Sequence, residues 1–216
     1  MSSKIKAIVF DAYGTLLDIN SLDRILTDRF GHKSVELSST WRKKQLEYTW
    51  LRTLMQQYQD FSLVTMDALE YSCKIHQVQL NEDIKQQLYK QYLKLKAFPE
   101  VPRMVEAISA RVPLGILSNA DHKMLRGALH GNNISGLFMH VLSAEDVRMF
   151  KPRSEIYLMA CEKFSLRPDE ILFVSSNTWD VAGAKSYGLT VAWLNRSAGV
   201  MEELGFEPDI MVEEIE

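Results

Sequence analysis

Ile8-Val9-Phe10-Asp11-Ala12-Tyr13-Gly14-Thr15-Leu16 is the stretch on which the fold turns. A run of strand-forming apolar residues stops at one carboxylate, and a glycine turn and a hydroxyl follow. In α/β proteins, ligands bind beyond the carboxyl ends of the parallel strands. A parallel strand here therefore presents Asp11 at the active-site edge. Tyr13, two residues on, leaves Asp11 without a carboxylate neighbour at that spacing.

Four further segments repeat this grammar: 113–117 before Ser118-Asn119, 139–142 before Ser143 and Asp146, 171–174 before Ser175-Ser176-Asn177, and 190–194 before Asn195. Uninterrupted apolar runs suit strands covered on both faces. Helical stretches lie between them, among them 154–164 and 180–186. Alternating strand and helix predicts an α/β fold, a doubly wound, mainly parallel Rossmann-like sheet with right-handed crossovers.

Residues 17–98 break the rhythm. They hold no Pro, almost no Gly and no convincing strand. Leu51, Leu54, Met55 and Tyr58 follow helical spacing, and Ser38, Ser39 or Thr40 can cap that helix. Ile84, Leu88, Tyr92 and Leu95 form a second stripe, ended by Pro99-Glu100-Val101-Pro102. The block reads as an inserted helical cap subdomain over 17–98, with a Rossmann-like core over 1–16 and 99–216. The linkers fall near 16–19 and 97–102.

The bulk properties exclude several classes. A chain of 216 residues, 46% hydrophobic and 25% charged, suits one core domain carrying an insertion. Net charge is −3 with no basic stripe, which speaks against nucleic acid as a partner. No apolar run approaches membrane-spanning length, so no membrane partner is expected. The N-terminus passes straight into the first strand, leaving no room for a signal peptide. Cys73 and Cys161 stand alone and read as free buried thiols in a reducing compartment, the cytoplasm. The five histidines have no ligand spacing, and no metal is suggested.

Parallel strands gather Asp11 and Thr15, Ser118 and Asn119, Lys151, and Ser175, Asn177 and Asp180 into one crevice. Each alone has an ordinary explanation in turns, caps or solvated charge; together they complement one another. A carboxylate can attack an electrophilic carbon or phosphorus and form a covalent ester or acyl phosphate. An ammonium from Lys151 would hold Asp11 ionised. Thr15, Ser118 and Asn119 can bind an anionic group of a substrate, and Ser175, Asn177 and Asp180 can position a hydrolytic water.

The order Asp-x-Tyr-Gly-Thr-Leu, Ser-Asn, Lys-Pro and Ser-Ser-Asn-x-x-Asp resembles the haloacid dehalogenase superfamily, and within it the L-2-haloacid dehalogenases (type II). The resemblance spans essentially the whole chain. It is closest at residues 10–16, Thr40-Trp41-Arg42, residues 45–52 and residues 173–184. Phosphatases of this superfamily carry a second Asp where this chain has Tyr13, and a magnesium-binding carboxylate where it has Ser176. A metal-dependent phosphatase is therefore disfavoured, and a non-catalytic binding protein on the same scaffold is the other rival.

The resemblance implies metal-independent, cofactor-free hydrolysis of (S)-2-haloalkanoic acids to (R)-2-hydroxy acids. Asp11 attacks C2, halide departs toward Arg42 and Asn119, and Ser118 with nearby backbone N–H groups binds the substrate carboxylate. Thr15 and Lys151 orient and stabilise Asp11. Ser175, Asn177 and Asp180 order the water, with either Lys151 or Asp180 as base. Tyr13, Leu46, Phe61 and Trp179 wall the site, and Tyr157 lies near Lys151. A homodimer with contributions from the cap helices is implied as well. Two departures from the family pattern, Ala120-Asp121-His122-Lys123 and Arg153-Ser154-Glu155, are expected near the entrance, where their charges can narrow substrate choice.

Overall fold

In a computed structural model, which describes residues 5–214, six parallel strands form one sheet: β1 (Ala7–Phe10), β2 (Leu114–Ser118), β3 (His140–Ser143), β4 (Ile171–Ser175), β5 (Thr190–Leu194) and β6 (Ile210–Val212). Residues 1–4 and 215–216 of the expected core lie outside the described residues. The strand order is β3-β2-β1-β4-β5-β6. β1 is central and pairs with β2 on one side and β4 on the other. The order reverses at β1, so its carboxyl end opens onto the crevice where doubly wound sheets bind ligands. Ala7, Val9 and Phe10 are buried, as expected for a strand covered on both faces.

The helices between β1 and β2 are α1 (Asp23–Phe30), α2 (Ser34–Leu54), α3 (Phe61–Ile75) and α4 (Glu82–Tyr92), followed by α5 (Val101–Ser109), which leads into β2. The core adds α6 (His122–Gly131), α7 (Ser154–Phe164) and α8 (Thr178–Tyr187). Leu88, Tyr92 and Leu95 are buried as the second stripe predicted. Pro102 does more than end that stripe, because it sits in the first turn of α5, where its missing N–H costs nothing.

The first stripe is a correction. α2 begins at Ser34, so Ser38, Ser39 and Thr40 lie inside the helix and cap nothing. Its buried face is Leu37, Trp41, Gln45 and Thr49, spaced by four, and it packs chiefly on α3. Leu51, Leu54 and Met55 are exposed instead. Tyr58 lies beyond the helix, its ring stacked on Phe150 at 5.1 Å. β6 was not predicted; it is a three-residue edge strand with two exposed residues, too short for an apolar run to mark it.

The outgoing and returning linkers run side by side. Leu17 bridges Ala97 in antiparallel sense, Asp18 N–H donates to Lys96 O (2.7 Å), and Phe98 N–H donates to Leu16 O (3.1 Å). Arg196, just after β5, ties this pair to the core. Its guanidinium donates to Thr15 O (3.0 Å), pairs with Glu100 (2.5 Å) and lies 3.9 Å over the Phe98 ring.

Candidate active site

Asp11 sits one residue past β1, its N–H bonded to Val174 O of β4 (2.9 Å), so two central strands fix its backbone. Gly14 adopts φ +90, a left-handed turn that glycine enters without steric cost. The turn brings Thr15 back over Asp11, and its hydroxyl donates to Asp11 Oδ2 (3.0 Å) while accepting the Ser176 N–H (2.9 Å). Thr15 is thus placed to orient the Asp11 carboxylate. Asn177, at the start of α8, donates from Nδ2 to the same Oδ2 (2.8 Å) and to Tyr13 O (3.1 Å).

Lys151 joins the two acids. Its Nζ donates to Asp11 Oδ1 (3.1 Å) and Asp180 Oδ2 (2.8 Å), and the side chain is 0% exposed. Asp180 also accepts from Ser175 Oγ on Oδ2 (3.2 Å) and from Tyr157 OH on Oδ1 (2.8 Å). Buried ions persist only when paired and hydrogen-bonded, and here each is. Burial pulls the Lys151 ammonium down, but the charges of Asp11 and Asp180 outweigh it and leave it above the ordinary lysine range. Burial pushes the Asp180 carboxyl up; Lys151 opposes this, Asp11 adds to it, and the result is about 6. Tyr157, expected beside Lys151, donates to that lysine's partner Asp180. Burial, then the charge of Asp180, holds its hydroxyl far above the ordinary phenol range.

From the opposite side, α2 lowers Arg42 toward the crevice. Its guanidinium donates to Gln45 Oε1 (2.7 Å) and to Asn177 Oδ1 (3.3 Å), both neutral. Gln45 is itself buried, with Nε2 donating to Thr65 Oγ1 (2.6 Å) and Tyr92 OH (2.9 Å). The cationic charge of Arg42 is thus held in place without being neutralised. Asn119, at the end of β2, accepts the Lys151 N–H on Oδ1 (2.8 Å), and its Nδ2 is buried without a partner. Ser118 Oγ accepts the Ala120 N–H (3.1 Å), leaving its own proton to donate. Two donor groups and one cation therefore remain for an anionic ligand.

Aromatic rings close the apolar side. Tyr13 stacks on Tyr92 with ring centroids 5.6 Å apart and meets Phe61 at 6.2 Å, which in turn meets Phe150 at 6.2 Å. The Tyr13 hydroxyl is buried without a partner. Trp179 is half-buried and packs edge-on against Trp50 of α2 at 5.8 Å, across the junction of cap and core. Leu46 is half-buried, one turn beyond Arg42 on the same face of α2. Gln45, Tyr92 and Phe150 were missed from sequence. The spacing 37, 41, 45, 49 on one helix was the signal that Gln45 faces inward. Of the charges expected at the entrance, Arg153 and Glu155 pair at the exposed surface, whereas Asp121 is 4% exposed and lies inside.

The sequence matches the haloacid dehalogenase-like hydrolase family over residues 5–188. It is 41% identical to haloacetate dehalogenase H-2 of Moraxella sp. (strain B), covering 97% of this chain and 94% of that protein. It is 39% identical to (S)-2-haloacid dehalogenase 2 of Pseudomonas sp. (strain CBS-3), covering 97% and 92%. Among solved structures it resembles L-2-haloacid dehalogenase of Xanthobacter autotrophicus with chloropropionic acid covalently bound. That match has a TM-score of 0.88 and 33% identity over 96% of this chain and 94% of the other.

Proposed function

Because this chain belongs to the haloacid dehalogenase-like hydrolases, we infer that it hydrolyses (S)-2-haloalkanoic acids to (R)-2-hydroxy acids and halide through an ester of Asp11. The observation that carries the reading is Lys151 Nζ, which lies fully buried between Asp11 and Asp180. It compensates both carboxylates, holds the first as an ionised nucleophile and supports metal-independent chemistry.

Asp11 Oδ1, bonded by Lys151 alone, attacks C2 in line. The new C2–O bond forms as the carbon–halogen bond breaks, and the configuration inverts. Halide leaves toward Arg42 and Asn119, where a cation and an unpartnered amide await a developing anion. Ser118 and its neighbouring backbone hold the substrate carboxylate. Water then adds to Cγ of Asp11 and gives its proton to Asp180. The charge that develops falls on Oδ2, where Thr15 and Asn177 already donate. Collapse releases the hydroxy acid, which regains a proton from Asp180, and Asp11 sheds the added proton to solvent. Lys151, charged and doubly bound, is the poorer base of the two candidates. A weakly basic halide needs no acid to leave, which fits Tyr13 at the place of a second Asp.

The resemblance also supports a homodimer, and the exposed apolar residues Leu51, Leu54, Met55 and Leu63 on α2, its C-terminal edge and α3 would supply its cap contacts. Cys73 and Cys161 are buried and free, in keeping with a cytoplasmic enzyme. Among the described residues no helix is long and apolar enough to cross a membrane.

Incubation with (S)-2-chloropropionate in EDTA tests the assignment. Stoichiometric chloride and (R)-lactate are expected. No chloride from any of several 2-haloacids, with folded protein, would sink the dehalogenase reading. Phosphate release from a simple phosphoester only with added Mg²⁺ would favour a phosphatase.

A further inference from the structure

Asp121 is the N-cap of α6, where its Oδ1 accepts the Met124 N–H at 3.0 Å. Its other oxygen, Oδ2, reaches across to the cap and accepts the N–H of Ser62, in the first turn of α3, also at 3.0 Å. The carboxylate is 4% exposed. The residue that formally caps α3, Asp60, makes no side-chain capping bond. One buried carboxylate thus closes the N-termini of two helices, one in the core and one in the cap. Both contacts are favourable, since the first N–H groups of a helix lack internal partners and its dipole attracts negative charge there.

The residue beside Ser62 is Phe61, 2% exposed, whose ring lies 6.2 Å from Tyr13 and 6.2 Å from Phe150. Those two rings belong to residues two past Asp11 and one before Lys151. The position of Phe61 against Tyr13 and Phe150 is therefore pinned by the Ser62–Asp121 bond to the core as well as by packing. We propose that Asp121 is a positioning residue for specificity: by clamping the first turn of α3 it holds Phe61 against Tyr13 and fixes the width of the slot that takes the alkyl substituent on C2. The proposal rests on the dehalogenase reading for its substrate, but the clamp itself can be tested without turnover.

Asp121→Ser separates the two contacts. Serine caps its own helix as well as aspartate does, but its single short oxygen cannot also reach α3. Chloride release is followed with chloroacetate, (S)-2-chloropropionate and (S)-2-chlorobutyrate. The ratio of kcat/KM for chlorobutyrate to that for chloropropionate, which differ by one methylene, should rise about tenfold, the low end of what one methylene is worth in an apolar pocket. Phe61→Leu should shift the ratio in the same direction, and the double variant should add little, since the two act as a unit. A uniform change across the three acids, or none, overturns the proposal.

Hydrogen exchange at the Ser62 amide supplies the readout independent of activity. Exchange should quicken in Asp121→Ser, and unchanged protection overturns the clamp. If the wild-type enzyme releases no chloride at all, the dehalogenase reading fails while the exchange result still decides the clamp. Asp121→Asn, which keeps the shape but has only one accepting oxygen, gives the same tests if the serine variant does not fold.

Discussion

At Asp180 the environment sets a pH at which the enzyme turns on. Burial raises the carboxyl, Lys151 lowers it and Asp11 raises it again, to about 6. An acid whose pKa is raised stays protonated to higher pH, and only its ionised form takes a proton from water. Once Asp11 is esterified its charge no longer raises Asp180, so hydrolysis of the ester should rise with pH below about 6, and in the free enzyme Lys151, raised above the ordinary lysine value, places the alkaline fall well above neutrality. A kcat profile by chloride release that is flat across that acid limb would remove Asp180 from the role of base. Asp180→Asn should slow ester hydrolysis about 10²–10⁴-fold, with one equivalent of halide released in a burst and the ester visible on Asp11 by peptide mass. Asp11, Lys151 and Asp180 were legible in sequence because each ends or follows a strand, where topology alone brings them together. Asp121 was not, because a polar residue at the start of a helix reads as solvated until its partner on another element is known, and Gln45 showed only in its four-residue spacing with Leu37 and Trp41.

The packing of α7 against α8 protects that carboxylate. A Cβ on Gly183 would lie 2.5 Å from Pro152 Cβ and 2.5 Å from the Tyr157 hydroxyl. Gly183→Ala should push Tyr157 off Asp180 and destabilise the fold by about 1–3 kcal/mol, the usual cost of overpacking. Urea unfolding measures the loss, and the acid limb of the pH profile should move with it. α7 was readable to the residue because its apolar spacing and its strand neighbours agree. The start of α2 was not. The chain enters it directly from a short 3-10 turn over Gly31–Lys33 with no capping side chain, so local signals pointed to Ser38–Thr40 while burial of Leu37 and Trp41 drew the helix earlier. β6 exists only by pairing with β5, a long-range fact that three exposed or half-buried residues do not announce.

At the scale of the whole molecule, cap and core meet through a few discrete ties. Arg196 is one, holding the start of the outgoing linker through Thr15 O and the return through Glu100 and Phe98. Arg196→Met should cost about 1–3 kcal/mol through the carbonyl left unpaired. It should also hasten proteolysis near residues 16–19 and 97–102, whereas an unchanged cleavage pattern would show that the linkers need no anchor. The insertion reads from sequence as a block without strand signals, whereas the ties were not legible, since Arg196 and Glu100 sit far apart in sequence. Arg42 is a tie of another kind. It reaches from the cap to Asn177 of the core, supported only by neutral oxygens. A halide seated against it would act as a rivet through both lobes, and any species that binds only the assembled form strengthens it by mass action, about 2.7 kcal/mol at a hundred times its Kd. The halide that such a turnover releases would then also be a preservative: as it accumulated, the protein would become harder to unfold.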